Sequence, residues 1–117
     1  MAIQSIAFTV YPVTDMARAR AFYEGQLGLK AGECFGETWC EYDLGASTFA
    51  VTTFDMGHLP GSKGAVVGFE VDDLETFLAR LKQEQVPFIT DVMETPVCRM
   101  VVIEDPDHNH ITIHKRK

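Results

Sequence analysis

The C-terminal stretch EDPDHNHITIHKRK contains the side chains with the clearest capacity for chemistry. Three of the four histidines in the chain, His108, His110 and His114, follow the carboxylates of Asp105 and Asp107. Imidazole and carboxylate groups bind divalent metals, and they also act as general acids and bases. The stretch is therefore compatible with a metal site, with a catalytic cluster, or with a polar hairpin that is rich in imidazole.

The segment HITIHK alternates polar and apolar residues, which predicts a strand with His110 and His114 on one face and Ile111 and Ile113 on the other. At about 3.3 Å per residue, the Cα atoms of His110 and His114 lie about 13 Å apart, which is too far for the two imidazoles to share one ion easily. A relocated metal site could form if Glu70 joined either histidine from a neighbouring strand. The alternative is that both histidines are polar residues that line or rim a cavity.

The segment DPDHN predicts a turn, because Asp and Asn side chains accept hydrogen bonds from nearby backbone in such turns. His108 occupies a turn position that commonly needs a positive φ, which histidine tolerates better than most residues. The remaining histidine, His58, lies in the Gly-rich loop DMGHLPGSKG. We expect it to be solvated, with a ligand contact as the alternative.

The composition is that of one globular domain of 117 residues with a formal net charge of −7. An acidic chain lacks the basic footprint of a nucleic-acid binder, and the charge also argues against anionic membranes. No apolar run reaches the length of a membrane span, and the first residues do not have the pattern of a signal peptide. We therefore expect a cytoplasmic protein with no nucleic-acid and no membrane partner.

The chain has three cysteines, Cys34, Cys40 and Cys98. An odd number without closely paired spacing does not predict a disulfide framework. We expect each of them to be a small packing residue, with a catalytic thiol as the alternative.

The first half of the chain predicts one strand, one helix and three further strands. IAFTVYPV is rich in β-branched and aromatic residues, and Asp15 is a suitable N-cap for the helix MARARAFYEGQLG. Gly25 and Gly28 mark the end of this helix, and Gly36 and the turn DLGAS divide the next segment into three short strands. The apolar helix face comprises Met16, Ala19, Phe22, Tyr23 and Leu27.

The second half repeats this order. GAVVGFEV predicts a strand, two aspartates cap the amphipathic helix LETFLARLKQEQ, and VPFITDVMETP, VCRMVVIE and HITIHK predict three strands. VTDMARARAFY and VDDLETFLARL align at a constant offset of 58 residues. This predicts an α+β fold in which two βαβββ modules, 1–57 and 64–117 of a single domain 1–117, form a curved, half-open barrel around a cavity.

Alternation along the strands predicts which side chains face this cavity. Val67, Phe69 and Val71 are the bulky row that packs under the helix. Trp39 and Tyr42 are expected to be core residues, dimer-interface residues or ligand platforms. The predicted cavity-facing residues are Ile6, Phe8, Val10, Thr48, Ala50, Thr52, Val66, Gly68, Glu70, His110, Thr112 and His114.

Two stretches give the chain a resemblance to the vicinal oxygen chelate superfamily, which contains glyoxalase I, extradiol dioxygenases, methylmalonyl-CoA epimerase, and the fosfomycin and bleomycin resistance proteins. They are VTDMARARAFYEGQLGLK near the start, and DPDHN followed by an alternating strand near the end. His108 stands where the family has glycine. The resemblance covers essentially the whole chain and implies the fold. It does not select one activity, because one fold supports several chemistries.

The family's enzymes hold one divalent metal through His or Glu at four equivalent strand positions. By the resemblance, these positions correspond to Phe8, Ala50, Val66 and Thr112, although the assignment of Ala50 could shift by two residues. A divalent metal needs imidazole, carboxylate or thiolate ligands. Phenylalanine, alanine and valine offer none, and threonine is a poor ligand. The resemblance therefore implies no cofactor and no metal at these positions.

We expect a metal-independent binder of a small, partly apolar molecule, similar to the bleomycin resistance proteins, and a homodimer. One alternative is a metal-dependent lyase, isomerase or dioxygenase with a relocated metal, or a metal-free enzyme that uses Glu70 and His114. Another is an interaction module whose cavity is vestigial. Catalytic residues are not assigned. The expected ligand-binding residues are Phe8, Ala50, Val66, Glu70, Thr112 and His114.

Overall fold

The computed structural model describes residues 6–55, 59–61 and 66–117. The chain divides into two compact units, Met1–Pro60 and Gly61–Lys117. Each unit contains one four-stranded sheet and one helical stretch in the order βαβββ. The predicted α+β class and the repeated order of elements are confirmed.

In the first unit the strand order across the sheet is β1-β4-β3-β2. Strand β1 is parallel to β4, whereas β3 is antiparallel to both β4 and β2. The glycines predicted to separate the strands have φ angles of 58° at Gly36 and 74° at Gly45, which suit tight turns. The elements are β1 (Thr9–Pro12), α1 (Met16–Arg20) continuing as a π-helical segment (Ala21–Gln26), β2 (Ala31–Phe35), β3 (Trp39–Leu44) and β4 (Ser47–Thr52).

The first helix begins where the sequence predicts and changes its winding along its length. The carboxylate of Asp15 accepts a hydrogen bond from the Arg18 amide at 3.0 Å, so Asp15 is the N-cap. Further along, the Leu27 amide donates to the Phe22 carbonyl at 2.9 Å, which is the wider i→i+5 spacing of a π-helix. Gly25 therefore lies inside the helical stretch, and only Gly28, with a φ of 79°, marks its end.

One face of the first sheet is covered by this helix. Tyr23 packs against Phe49 and Tyr42, with ring centroids 5.2 and 6.2 Å apart. All five residues of the predicted apolar helix face are buried. The buried hydroxyl of Tyr42 donates to the Glu24 carboxylate at 3.0 Å, and Arg20 binds the same carboxylate at 2.6 Å. Tyr42 is thus a core residue whose polar end is satisfied.

In the second unit the strand order is β5-β8-β7-β6, with β5 parallel to β8 and the other pairs antiparallel. Asp73 caps its helix by accepting the Thr76 amide at 3.1 Å. The helix residues Leu74, Leu78 and Leu81 are buried. Ile111 and Ile113 of β8, which the alternation assigns to the helix side, are buried as well. The elements are β5 (Val67–Glu70), α2 (Leu74–Gln83), β6 (Met93–Glu94), β7 (Cys98–Glu104) and β8 (His110–Arg116).

The strand predicted over VPFITDVMETP is mostly absent. Only Met93–Glu94 forms a strand, and Phe88 makes one isolated bridge to Ile103. The Val102 amide donates to the side-chain hydroxyl of Thr90 at 3.0 Å. Because this side chain accepts a hydrogen bond that a backbone carbonyl would accept in a regular ladder, the pairing is interrupted between the bridge and β6.

The expectation about the cysteines was wrong for two of the three. Cys34 and Cys40 form a disulfide across the β2–β3 hairpin, where they are directly opposed partners. The sequence argument considered only spacing, whereas a hairpin brings residues six positions apart face to face. Cys98 is buried and unbonded, as expected of a packing residue.

In the described part of the chain, no helix is long and apolar enough to cross a membrane.

Candidate functional site

The two units use the same register, which makes their positions comparable. Thr9 pairs with Phe49 in the first unit, and Val67 pairs with Ile111 in the second. The corresponding strand positions therefore differ by 58 residues in β1 and β5, and by 62 residues in β4 and β8. By this correspondence Phe8 is equivalent to Val66, and Ala50 is equivalent to Thr112.

These four residues are the positions at which the resemblance implies a metal, and they do not fit one. They form two equivalent pairs: Phe8 and Val66 each lie one residue before the first strand of their unit, and Ala50 and Thr112 each lie on the last strand. None has a carboxylate, imidazole or thiolate. Across residues 6–55, 59–61 and 66–117, moreover, no three His, Cys, Asp or Glu side chains are grouped as metal ligands would be. We therefore derive no step through a metal.

In each unit we call the face of the sheet opposite its helix the helix-free face. On the helix-free face of the second unit, four residues form a row across the strands. Glu70 pairs with His114, His114 with Met100, and Met100 with Met93. The row therefore changes from an acid–imidazole pair on β5 and β8 to two thioethers on β7 and β6.

The carboxylate of Glu70 is held at both oxygens. One oxygen lies 2.5 Å from Nδ1 of His114, and the other accepts the Arg116 amide at 2.8 Å. The Arg116 hydrogen bond, followed by that of His114, lowers the pKa of Glu70 below its ordinary range. Glu70 is therefore an ionised acceptor, and it fixes the orientation of the His114 ring. Of the two partners proposed for Glu70 from the sequence, the structure selects His114.

A second row lies two residues along the same face. Gly68 pairs with Thr112, and Thr112 pairs with Val102. Among the described residues, a Cβ atom built on Gly68 would meet only the Cβ of Thr112, at 4.0 Å. The missing side chain leaves a notch beside the Thr112 side chain. Val66, one residue before β5, is 52% exposed. Val66, Glu70, Thr112 and His114 thus lie along one face of one sheet.

Of the other two described histidines, His108 lies in the turn between β7 and β8, and His110 is the first residue of β8. His108 has a φ of 68°, as its turn position predicts. Its Nδ1 lies 2.9 Å from Glu104, and this hydrogen bond raises the pKa of His108 above its ordinary value of 6.5. Nε2 of His110 lies 3.5 Å from the other oxygen of Glu104. His110 and His114 therefore pair with different carboxylates.

The turn itself is a hydrogen-bonded structure rather than an acid cluster. Asp105 accepts the backbone amides of Asp107 at 2.9 Å and Asn109 at 2.8 Å. The Asn109 side chain donates to Asp105 at 2.9 Å and accepts the Gly61 amide at 2.8 Å. This confirms that the DPDHN residues form the turn. The remaining histidine, His58, lies outside the described residues.

On the helix-free face of the first unit the main features are aromatic. Phe8 and Trp39 meet edge to face, with ring centroids 5.1 Å apart, and the Trp39 indole donates to Glu41 at 2.9 Å. Ala50 lies between its partners Val10 and Glu41 and has no exposed surface. Phe8 is 39% exposed, so it retains surface that a ligand could contact.

The sequence predicted Trp39 as one possible ligand platform but did not place it beside Phe8, and it did not single out Met100 and Met93. The signal for Trp39 was present, because alternation in WCEYDL assigns Trp39 and Tyr42 to opposite faces. The two methionines carried no comparable signal, since only the pairing of β8, β7 and β6 brings them beside His114.

The sequence matches the model of the Glyoxalase/Bleomycin resistance protein/Dioxygenase superfamily over residues 5–113. The chain belongs to this superfamily. No curated protein matches it significantly.

Solved structures with the same fold include proteins of different activities. An antibiotic binding protein, TnmS3 from Streptomyces sp. CB03234, superimposes with a TM-score of 0.82 at 23% identity, covering 100% of this chain and 99% of that one. A glyoxalase/bleomycin resistance protein from the same Streptomyces gives 0.77 at 23%, covering 93% and 98%. A lactoylglutathione lyase from Agrobacterium tumefaciens gives 0.74 at 20%, covering 97% and 94%. At these identities the likeness establishes the fold alone.

Proposed function

We propose that this protein binds a small, partly apolar molecule without a metal. The observation that carries the proposal is the chemistry of the two equivalent pairs of positions, Phe8 with Val66 and Ala50 with Thr112. Three of these residues are apolar and the fourth carries a hydroxyl, whereas a bound metal would require carboxylate, thiolate or imidazole ligands at these positions. Mixed apolar surface with a few polar groups is the usual form of a small-molecule site.

In this proposal Phe8 is an apolar contact residue of the first unit. In the second unit Val66 is an apolar contact residue, and Glu70, Thr112 and His114 are polar ones. Ala50 was expected to touch the ligand, but it has no exposed surface. We therefore assign it to the layer beneath the contact surface. Trp39 is added to the apolar contact residues of the first unit because its ring packs on Phe8 and its indole N–H is already bonded within the protein.

The proposal is supported by the presence of an antibiotic binding protein among the solved structures of the same fold. That name describes the Streptomyces protein. For this chain we infer the same class of ligand-binding role. The ionised Glu70 and the net charge of −7 favour a ligand that is cationic or that donates hydrogen bonds.

A second candidate is an enzyme that uses Glu70 and His114. The observation that favours it is the 2.5 Å contact between a carboxylate and an imidazole, because such a pair orients a general base. A measurement of turnover distinguishes a Glu70–His114 pair that transfers a proton to or from the ligand from one that only binds the ligand. Conversion of bound compounds, followed by NMR, would favour the enzyme, and unchanged compounds would favour the binder.

The test of metal-independent binding is calorimetric titration of the purified protein with flat, partly apolar compounds, with and without a chelator. We expect micromolar or tighter binding that the chelator leaves unchanged, and no stoichiometric Zn, Ni, Mn or Fe by elemental analysis. Phe8→Ala should weaken binding. The matched control is Phe77→Ala on α2, away from the helix-free face. Loss of binding in the chelator, or equal loss in both variants, would contradict the proposal.

We also propose a homodimer and a cytoplasmic location. Exposed apolar residues such as Phe35 and Phe54, which are 59% and 57% exposed, provide surface that a second copy could cover. Sedimentation velocity distinguishes monomer from dimer. The disulfide between Cys34 and Cys40 is the feature that argues for an oxidising compartment instead. Thiol labelling in intact cells separates the two locations, because both thiols react only where the bond is reduced.

A further inference from the structure

We propose that His114 is the contact for an acidic hydroxyl of the ligand, and that the ligand is a phenol whose ring lies against Met100 and Met93. This inference rests on the proposed binding function and narrows the class of ligand. It arises from the row Glu70, His114, Met100 and Met93 across four strands.

The contact with Glu70 determines which nitrogen of the His114 ring carries the hydrogen. Both oxygens of Glu70 are engaged, one by the Arg116 amide and the other by Nδ1 of His114. An ionised carboxylate can only accept, so Nδ1 must donate and therefore carries a hydrogen. In the neutral ring Nε2 is then a lone-pair acceptor. Glu70 thus acts as a positioning residue that makes Nε2 available to a donor.

The surroundings of His114 determine which groups can donate a hydrogen bond to Nε2. Among residues 6–55, 59–61 and 66–117, the His114 side chain forms a hydrogen bond only through Nδ1. Its neighbour on β7 is Met100, whose thioether has no hydrogen to donate. The His114 side chain is 27% exposed, so a ligand can reach it. Since no described side chain donates to Nε2, this nitrogen can accept a hydrogen bond from a bound molecule or from water.

Among the possible hydrogen-bond donors, a phenol fits both His114 and the two methionines. A phenolic hydroxyl is more acidic than an aliphatic one, and hydrogen bonds gain strength as charge develops on either partner. An aromatic ring beside the same hydroxyl would meet the two thioether sulfurs, which make favourable contacts with ring edges. An aliphatic alcohol could use His114 but would not gain from the methionines.

The test compares naphthol with its methyl ether as calorimetric probes, because the ether keeps the ring and removes the donor. We expect the wild-type protein to prefer naphthol by about tenfold, the value of one hydrogen bond. His114→Phe keeps a ring but removes the acceptor, so the ratio should fall to about one. Glu104→Gln, which alters the carboxylate beside His108 and His110, is the matched control and should retain the ratio.

The variant Glu70→Gln separates positioning from simple structural support. The glutamine oxygen can accept the Arg116 amide while its NH₂ group donates to Nδ1, which reverses the ring tautomer. Nε2 then carries the hydrogen and can no longer accept one. We expect NMR of the imidazole nitrogens to show this reversal, and we expect the naphthol preference to disappear while the ether still binds.

The outcomes distinguish the two proposals. Equal affinity of the wild-type protein for naphthol and its ether would overturn the phenol inference and leave the binding function standing. A preference that survives Glu70→Gln despite the reversed tautomer would also overturn it. If neither naphthol nor its ether bound while other flat, partly apolar compounds did, the phenol inference would fail and the binding function would stand. If no compound of either kind bound, both proposals would fail.

Discussion

Replacing Gly68 with alanine should strengthen the fold and weaken the ligand complex. Gly68 lies in β5 on the helix-free face, beside Thr112. The φ angle of Gly68 is not positive, and within the described part of the chain an added Cβ would meet only the Thr112 Cβ, at 4.0 Å. Alanine therefore fits the protein without strain, but it fills the notch that we assign to the ligand.

The expected magnitudes have opposite signs. Glycine within a strand costs about 0.5–1 kcal/mol relative to alanine, so Gly68→Ala should raise the free energy of unfolding by about that amount. For a chain of this size the corresponding rise in Tm is roughly 2–4 °C. If the notch holds part of the ligand, the additional methyl group should weaken the free energy of ligand binding by about 1–3 kcal/mol, by analogy with overpacked cores. The Kd should then increase roughly 5- to 150-fold.

Urea unfolding and calorimetric titration with naphthol measure the two effects on the same preparation. Gly25→Ala is the matched control, because Gly25 lies in the helical stretch and an added Cβ would meet no described residue within 4 Å. It should raise stability in the same way and leave the Kd unchanged. An unchanged Kd in Gly68→Ala would refute the assignment of the notch, and a less stable protein would refute the account of the space around Gly68.

Three further predictions follow from contacts away from the notch. The raised pKa of His108 means that its pairing with Glu104 stabilises the fold fully below the ordinary value of 6.5, and that this stabilisation is lost as the pH rises through the folded-state pKa. NMR titration should therefore give a pKa above 6.5 that Glu104→Gln lowers. Tyr42→Phe should reduce the free energy of unfolding, measured in urea, by about 1 kcal/mol. This is less than the usual contribution of a hydrogen bond to a charged group, because the Glu24 carboxylate is partly exposed and keeps its ion pair with Arg20. In the same assay Ile111→Ala should cost about 2–5 kcal/mol, because that side chain has no exposed surface; a cost below 1 kcal/mol would contradict its place in the core.

Much of the architecture could be predicted because its signals are local. Asp15 and Asp73 cap the two helices as expected, since a carboxylate at that position satisfies a free amide within three residues. The alternation in β8 correctly assigned Ile111 and Ile113 to the core. Local signals failed where distant groups compete for the backbone, as when the Thr90 hydroxyl interrupts the pairing before β6.

The candidate site was predicted in part, for a similar reason. Alternation assigned Glu70, Thr112 and His114 to one face, but it did not say whether Glu70 would meet His114 or His110. That choice depends on the register between β5 and β8, which pairs Glu70 with His114.

The sequence by itself determined the kinds of side chain at each position, and therefore that Phe8, Ala50, Val66 and Thr112 cannot ligate a metal. It also determined the order of elements and the facing of a strand such as β8, because both follow from periodicity within a few residues. Only the tertiary structure decided which neighbours meet: Glu70 with His114, Phe8 with Trp39, and Cys34 with Cys40. These contacts cross between strands, and the pairing register that creates them is set by packing of the whole sheet.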